Sequence, residues 1–461
     1  MHSQSTTTLL PPTIEGSSKH QESSIHGAPV AASRASRRAS LALRSLPRPH
    51  PLRLPLLAAL LFAAAAAVAA PADESEGRLI LDARYRFEQV EQDGPLKHAS
   101  AHTLRTRLGY QTATWHGLSG LAEVDDVRSL GAEHYNDTRN GKSAYATVAD
   151  PEGIAVNQLL VRGRFAKGSA TVGRQRINLD NQRFVGGVGW RQNEQTYDGG
   201  VIEFKPTSAS TVTYGYIDNI DTVFGPDSPA TPGRTAPADI EGHSHLLNAR
   251  YVFGTSLTAT AYHYRLGLDN IGVTAAAPLG TLSSKTTGLR LQGVLGGTTY
   301  VVEHARQSSL ADNPWDLDSR YRLIEVGQTW AGTQFTLGQE VLGSGKEAGV
   351  GNRAFQTPLA TKHAFQGWAD VFLTTPADGL RDAYLLASRP VAGGKLQVAY
   401  HDFRSDRGDR RFGTEWDVAY SRAIPAAKGW LATLKYAAYD SAHASGTVDT
   451  DKLWVQVQYT R

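Results

Sequence analysis

The sequence predicts an all-β fold: a transmembrane antiparallel β-barrel of about 18 strands, with short periplasmic turns and long extracellular loops. Three observations predict it. Apolar and polar residues alternate with a period of two over segments of about ten residues, which is the strand signature. The links between these segments alternate between short and long. After Ala70 there is no run of apolar residues long enough for a helix to cross a bilayer, which takes about 20. Lipid cannot hydrogen-bond a backbone, so a sheet in a membrane must close on itself. Only alternate residues then face lipid, which explains a mean hydropathy of −0.33 in a membrane protein.

The chain has 461 residues, 45 of them glycine and none cysteine. Residues 1–70 read as an N-terminal leader and signal peptide, and residues 71–461 as the barrel. An Arg-, Ser- and Pro-rich region precedes LPLLAALLFAAAAAVAA, from Leu54 to Ala70. Ala67-Val68-Ala69 and Ala70-Pro71-Ala72 both fit the small-x-small cleavage pattern, placing the cut near 69–72. Pro55, the many alanines and the lack of basic residues just after the run favour cleavage over an anchor. The leader also carries the excess charge, with seven of the 47 Lys and Arg and two of the 44 Asp and Glu. That leaves 40 against 42, near −2, so the basic balance gives no case for nucleic acid. Absence of cysteine fits passage through an oxidising periplasm.

The strands follow in order. RLILDARYRFE sets Leu79, Leu81, Ala83, Tyr85 and Phe87 against Asp82, Arg84, Arg86 and Glu88. LRTRLGY sets Leu104, Thr106, Leu108 and Tyr110 against Arg105 and Arg107. QLLVRGRF opposes Leu159, Val161 and Phe165 to Arg162 and Arg164, and LLNARYVF opposes Leu247, Ala249, Tyr251 and Phe253 to Asn248 and Arg250. YRLIEVGQTW, residues 321–330, can be phased either way. KLWVQVQY closes the chain, with Leu453, Val455, Val457 and Tyr459 on one face and Gln456 and Gln458 behind. Eight short turns separate nine longer links, among them 128–153, 178–192, 221–242 and 343–378. Trp115, Phe165, Phe204, Trp330, Phe335, Tyr400, Trp430, Tyr436 and Tyr439 fall toward strand ends; ordinary sheet propensity and a girdle of amphipathic rings at the membrane interface account for them equally.

With the apolar faces turned to lipid, Arg84, Arg86, Arg105, Arg107, Arg162, Arg164, Arg250 and Arg290 point inward. An outward Arg at the bilayer centre costs about 2–4 kcal/mol, which fixes the phase. Two roles stay open for them. They can pair with Asp82, Glu88, Asp125, Glu203 or Asp218 in a wall network, or their planar forks can receive a passing carboxylate or phosphate. Rings of such cations select anions.

One link stands apart. GRQRINLDNQRFVGGVGWRQNEQTYDGG, residues 173–200, places Arg174, Arg176, Arg183 and Arg191 among glycines and amides. No Gly-Lys-Ser/Thr follows, so it is no phosphate loop. Gly186, Gly187 and Gly189 let the link fold where side chains would obstruct, and Asn178, Asn181, Gln182, Gln192 and Asn193 offer neutral hydrogen bonds. Such a makeup suits either an ordinary exposed loop, which composition alone favours, or a loop that reaches into a pore. The segment closely resembles the hallmark stretch of the alginate export family of outer-membrane porins, and GWADVFLTTPADGLRDAY, residues 367–384, resembles a second. The resemblance implies a monomeric barrel with an arginine-rich constriction that passes a polyuronate. It nominates Arg174, Gln175, Arg176, Asp180, Gln182, Arg183, Trp190, Arg191 and Gln192, with Trp368, Asp370, Pro376 and Asp378 from the second stretch.

The function expected is a channel for anionic polysaccharide, an alginate-like polyuronate, or its oligomers. The alternative is an anion-preferring porin for other small solutes. Expected partners are the polymer or oligosaccharide, outer-membrane lipid and a periplasmic export scaffold. No cofactor, metal centre or nucleic acid is implied. Asp125, Asp126, Asp137 and Asp180 could join a calcium site, yet their spacing matches no EF-hand loop. Enzyme readings would draw on His401 with Asp402, His304 with Glu303, or Ser244 between His243 and His245; scattered polar wall residues explain these better.

Overall fold

Each alternating segment becomes a strand because period-two patterning lets one face meet lipid while the other meets the lumen. The computed structural model describes residues 76–226, 235–310, 313–345 and 351–461; the leader and its cleavage site lie outside them. The strands are β1 (Arg78–Gln92), β2 (Ala99–Gln111), β3 (Leu118–Ser129), β4 (Gly153–Phe165), β5 (Gly168–Gln175) and β6 (Thr196–Phe204). They continue with β7 (Ser210–Asp221), β8 (Asp239–Val252), β9 (Thr258–Leu266), β10 (Ser284–Leu295), β11 (Thr298–Ser309) and β12 (Asp318–Trp330). The last six are β13 (Thr333–Leu342), β14 (Leu380–Val391), β15 (Gly394–Arg404), β16 (Arg411–Ala423), β17 (Trp430–Ser441) and β18 (Thr450–Thr460).

Every strand pairs antiparallel with its sequence neighbours, and β1 also pairs with β18, so the 18-stranded sheet closes without an edge. Closure satisfies each ladder inside the protein, which is what lipid demands. The predicted phases hold. Leu79, Leu108, Leu159, Leu247 and Val455 are exposed on the outer wall, whereas Asp82, Arg86, Arg107, Asn248 and Gln456 are buried inside. The ambiguous segment resolves with Ile324, Val326 and Trp330 outward and Tyr321 and Leu323 inward. Trp115, Phe204, Trp330 and Trp430 form an exposed aromatic set near the short turns. Tyr439 departs from the expected girdle. It is buried in the lumen, and its hydroxyl donates to the Phe412 carbonyl at 2.8 Å.

The interior is filled from above. The β5–β6 loop (176–195) and residues 351–379 of the β13–β14 link enter the lumen and join there, through a bridge between Val185 and Leu359. Gly186 N–H donates to the Leu359 carbonyl at 2.9 Å and Thr361 N–H to the Gln182 carbonyl at 3.0 Å. Phe184 seats the joint on the wall, 5.2 Å from the Tyr262 and Tyr321 rings and 6.0 Å from Phe355.

Candidate functional site

The two joined loops narrow the barrel, and four knots of charge hold them. In the first, Arg84 donates to the carbonyls of Gly189 at 2.9 Å and Trp190 at 3.1 Å. Arg86 also donates to the Trp190 carbonyl, and its guanidinium lies 4.1 Å over the Trp190 ring. Here the wall arginines clamp backbone.

In the second, Arg107 meets Asp125 at 2.6 Å, Glu194 at 3.2 Å and Glu123 at 3.4 Å. Arg176 pairs with the same Glu123 and Glu194. Burial alone would raise the Glu194 carboxyl, but Arg107 and Arg176 hold it down at about 2. Asn157 adds a hydrogen bond to Glu194 at 3.1 Å.

The third knot joins the loops to the far wall. Buried Arg183 pairs with Glu340 at 2.6 Å and donates to Thr357 Oγ1 at 2.9 Å. The Tyr321 hydroxyl donates to the same carboxylate at 2.6 Å.

The fourth ties three loops together. Arg191 reaches Glu88 of β1 at 3.1 Å, Asp150 of the β3–β4 loop (130–152) at 3.7 Å and Asp370 at 3.3 Å. Asp370 also accepts from Lys452 at 3.0 Å and His363 Nδ1 at 2.8 Å. Burial pushes His363 down to about 3 against the pull of Asp370. The neutral ring therefore donates through Nδ1 and accepts at Nε2 from Lys435 at 2.6 Å. Burial would also raise Asp370, but His363, Lys452 and Arg191 hold its carboxyl well below the usual range. The His363 ring stacks on Trp190 at 4.6 Å, and Lys435 lies 3.6 Å over the Trp368 ring.

The remaining expected residues divide. Gln182 accepts from Thr361 Oγ1 at 2.7 Å, Gln192 donates to Thr103 Oγ1 at 2.9 Å, and Asp180 accepts from Asn248 at 2.7 Å. Arg105 meets Asp82 and Arg290 meets Glu303, each at 2.6 Å. Arg105 keeps two buried N–H groups without a partner, at Nε and Nη1. Arg162, Arg164 and Arg250 share the inner face on the short-turn side of the constriction, where they are exposed and form no ion pair among the described residues.

Arg174 corrects the sequence reading. It sits directly opposite Leu159, 59% exposed on the outer wall, so it faces outward. There it pairs with Asp198 at 2.7 Å and with Asp221. The glycine expectation also narrows. A Cβ on Gly186 would stand 2.4 Å from Thr361 Oγ1, so that close approach requires glycine, whereas one on Gly187 would only press on Asn178 Oδ1 at 3.3 Å and one on Gly189 would make ordinary contact.

Sequence reasoning missed Lys435, Lys452, Glu194, Glu340, Asp150 and His363. For the two lysines a signal existed: Lys452 shares the inward phase of Gln456 and Gln458, and Lys435 that of Thr433. Between the loops and the β12–β17 wall lies a cavity of about 430 Å³, lined by Trp190, Glu340, His363, Trp368, His401 and Lys435 among others.

The wall splits the enzyme candidates. Glu303 faces in and His304 out, and Ser244 faces in while His243 and His245 face out. His401 points inward to Asp382 at 2.9 Å, leaving Asp402 on the other face. The calcium candidates are equally dispersed: Asp125 faces Arg107 inside, and Asp126 faces Arg128 outside at 2.7 Å.

No family model matches the chain and no curated protein does, so the resemblance to alginate exporters gains nothing from either comparison. Solved structures do match. Acinetobacter baumannii OccAB4 is 14% identical with a TM-score of 0.65, over 85% of this chain and 100% of its own. Pseudomonas aeruginosa OpdL is 17% identical at 0.60, over 84% of this chain and 98% of its own. Pseudomonas aeruginosa OccK7 is 14% identical at 0.58, over 84% and 99%. Their likeness shows the fold, an 18-stranded closed antiparallel barrel. This chain is an outer-membrane protein of the Gram-negative type.

Proposed function

We propose that the chain is an outer-membrane channel for small solutes bearing negative charge. The carrying observation is where the unpaired cations stand. At the constriction every named arginine already holds a carboxylate or a loop carbonyl, so those groups fix the loops in place. Arg162, Arg164 and Arg250 form no ion pair among the described residues and are exposed on the inner wall, with Arg250 in electrostatic reach of Asp180. A guanidinium about 4 Å from a passing carboxylate gains roughly 1 kcal/mol in bulk water and about 4 kcal/mol near a protein surface. Three such groups suffice to bias ion traffic. The structural neighbours, themselves porins, favour this small-solute reading over polysaccharide export, and with it no export scaffold is needed.

Reversal potentials across a salt gradient in planar bilayers test the proposal. The wild type should prefer anions, and Arg162→Gln/Arg164→Gln/Arg250→Gln should lose about tenfold of that preference, the equivalent of 1.4 kcal/mol. An unchanged ratio would remove these arginines from the filter. Saturable block by an added oligouronate would return the case to a polymer channel.

A further inference from the structure

The outer wall carries charge that the channel does not use. The short turns mark the periplasmic rim and the long loops the extracellular rim. On β9 to β12, the outward positions next to the long loops are basic: Arg265, Lys285, Arg306, Arg320 and Arg322. Cross-strand register places Arg265 directly opposite Lys285, and Arg306 directly opposite Arg320. Like charges set opposite each other destabilise a sheet. Arg306 is offset by Asp318 at 2.9 Å and Arg322 by Asp406 at 3.5 Å. Arg265, Lys285 and Arg320 form no ion pair among the described residues, and Asp318 is the sole carboxylate at the outward positions of these four strands.

Below the basic residues come His263, Thr287 and His304, and two outward positions toward the periplasm the same faces turn apolar, with Leu289, Val302, Ile324 and Val326 all exposed. The opposite arc differs: at the matching height β17, β18 and β1 present Asp440, Asp451 and Glu91. The basic arc is therefore local, and it lies where lipid headgroups of the outer leaflet meet the wall.

We propose that the β9–β12 arc binds a phosphorylated lipid of the outer leaflet, its phosphates bridging Arg265, Lys285 and Arg320 and its acyl chains lying on Leu289, Val302 and Ile324. A phosphate between two opposed cations replaces their repulsion by two charge-assisted hydrogen bonds. Acyl chains below would lie on the apolar surface that begins past Thr287 and His304. A lipid with two phosphates spans the arc from Arg265 to Arg320; a lone phosphate ion engages the cations and leaves the apolar strip bare.

Detergent-purified full-length protein can be titrated with diphosphoryl lipid A, monophosphoryl lipid A, phosphatidylethanolamine and inorganic phosphate, with bound lipid read by native mass spectrometry. Saturable retention of diphosphoryl lipid A is expected, about tenfold stronger than the monophosphoryl form. Arg265→Gln/Lys285→Gln/Arg320→Gln should bind about tenfold more weakly while keeping wild-type channel current. Equal retention by that variant, equal retention of phosphatidylethanolamine, or displacement of the lipid by millimolar inorganic phosphate would each overturn the proposal. If the variant fails to fold, the ranking of the lipids on the wild type decides alone.

Discussion

Arg183 and Glu340 come from positions 157 residues apart, and both are buried where the β5–β6 loop meets the β12–β13 wall. Removing one partner of such a pair strands the other charge, at a cost of about 3–5 kcal/mol. Arg183→Met should therefore release the loop joint without opening the barrel, whose ladders do not involve this side chain. Single-channel recordings should show a larger and noisier conductance, with the barrel's melting temperature within a few degrees of wild type. Adding Glu340→Gln should restore part of the quiet state, because the stranded charge is gone; a quiet Arg183→Met channel would contradict the clamp. The residue scale also shows what periodicity hides. Arg174 and Arg176 have the same parity, yet one faces lipid and the other the lumen, because β5 ends at Gln175 and the chain then turns inward. Alternation cannot mark where a strand stops.

At the scale of elements, the two inserted loops are a single unit whose stability depends on pH. His363 is buried and held at about 3, packed by Trp190 and Trp454 and faced by Asp370, Lys435 and Arg191. A histidine with a depressed folded value stays neutral when folded and charges when released. Its contribution is complete above about pH 6.5 and fades as pH falls from there toward 3. Glu194, held at about 2, keeps its contribution above about pH 4.5 and loses it as pH falls toward 2. Proteolysis or hydrogen exchange in residues 351–379 should thus rise below pH 6.5, with an opening free energy falling by roughly 1.4 kcal/mol per unit. His363→Gln should shift that onset to about pH 4.5, leaving the carboxylate steps of Glu194 and Asp370. A flat response between 6.5 and 4.5 in the wild type would sink the assignment. The elements also divide in how far sequence reveals them. Strands such as Lys452–Tyr459 announce their phase in a few residues. The loop joint depends on Val185 meeting Leu359 and Arg183 meeting Glu340, contacts that no local pattern encodes.

On the scale of the whole molecule, an apolar outer wall, a closed ladder and a charged interior make one claim about which surface meets lipid. Leu337, at the middle of β13 and 65% exposed, tests it against its neighbour Thr336 on the inner face. Leu337→Arg puts a cation into hydrocarbon, for about 2–4 kcal/mol if it lies near the midplane. Thr336→Arg puts the same cation into the aqueous lumen, where water and the carboxylates of that wall can receive it. Reversible denaturant unfolding from lipid vesicles should separate the two by most of that range, with Ile324→Arg repeating the outward cost one strand away. The order has a definite physical reading. A wall whose inner and outer faces were exchanged would reverse the sign of the difference, and a sheet left open in water would make both substitutions nearly neutral.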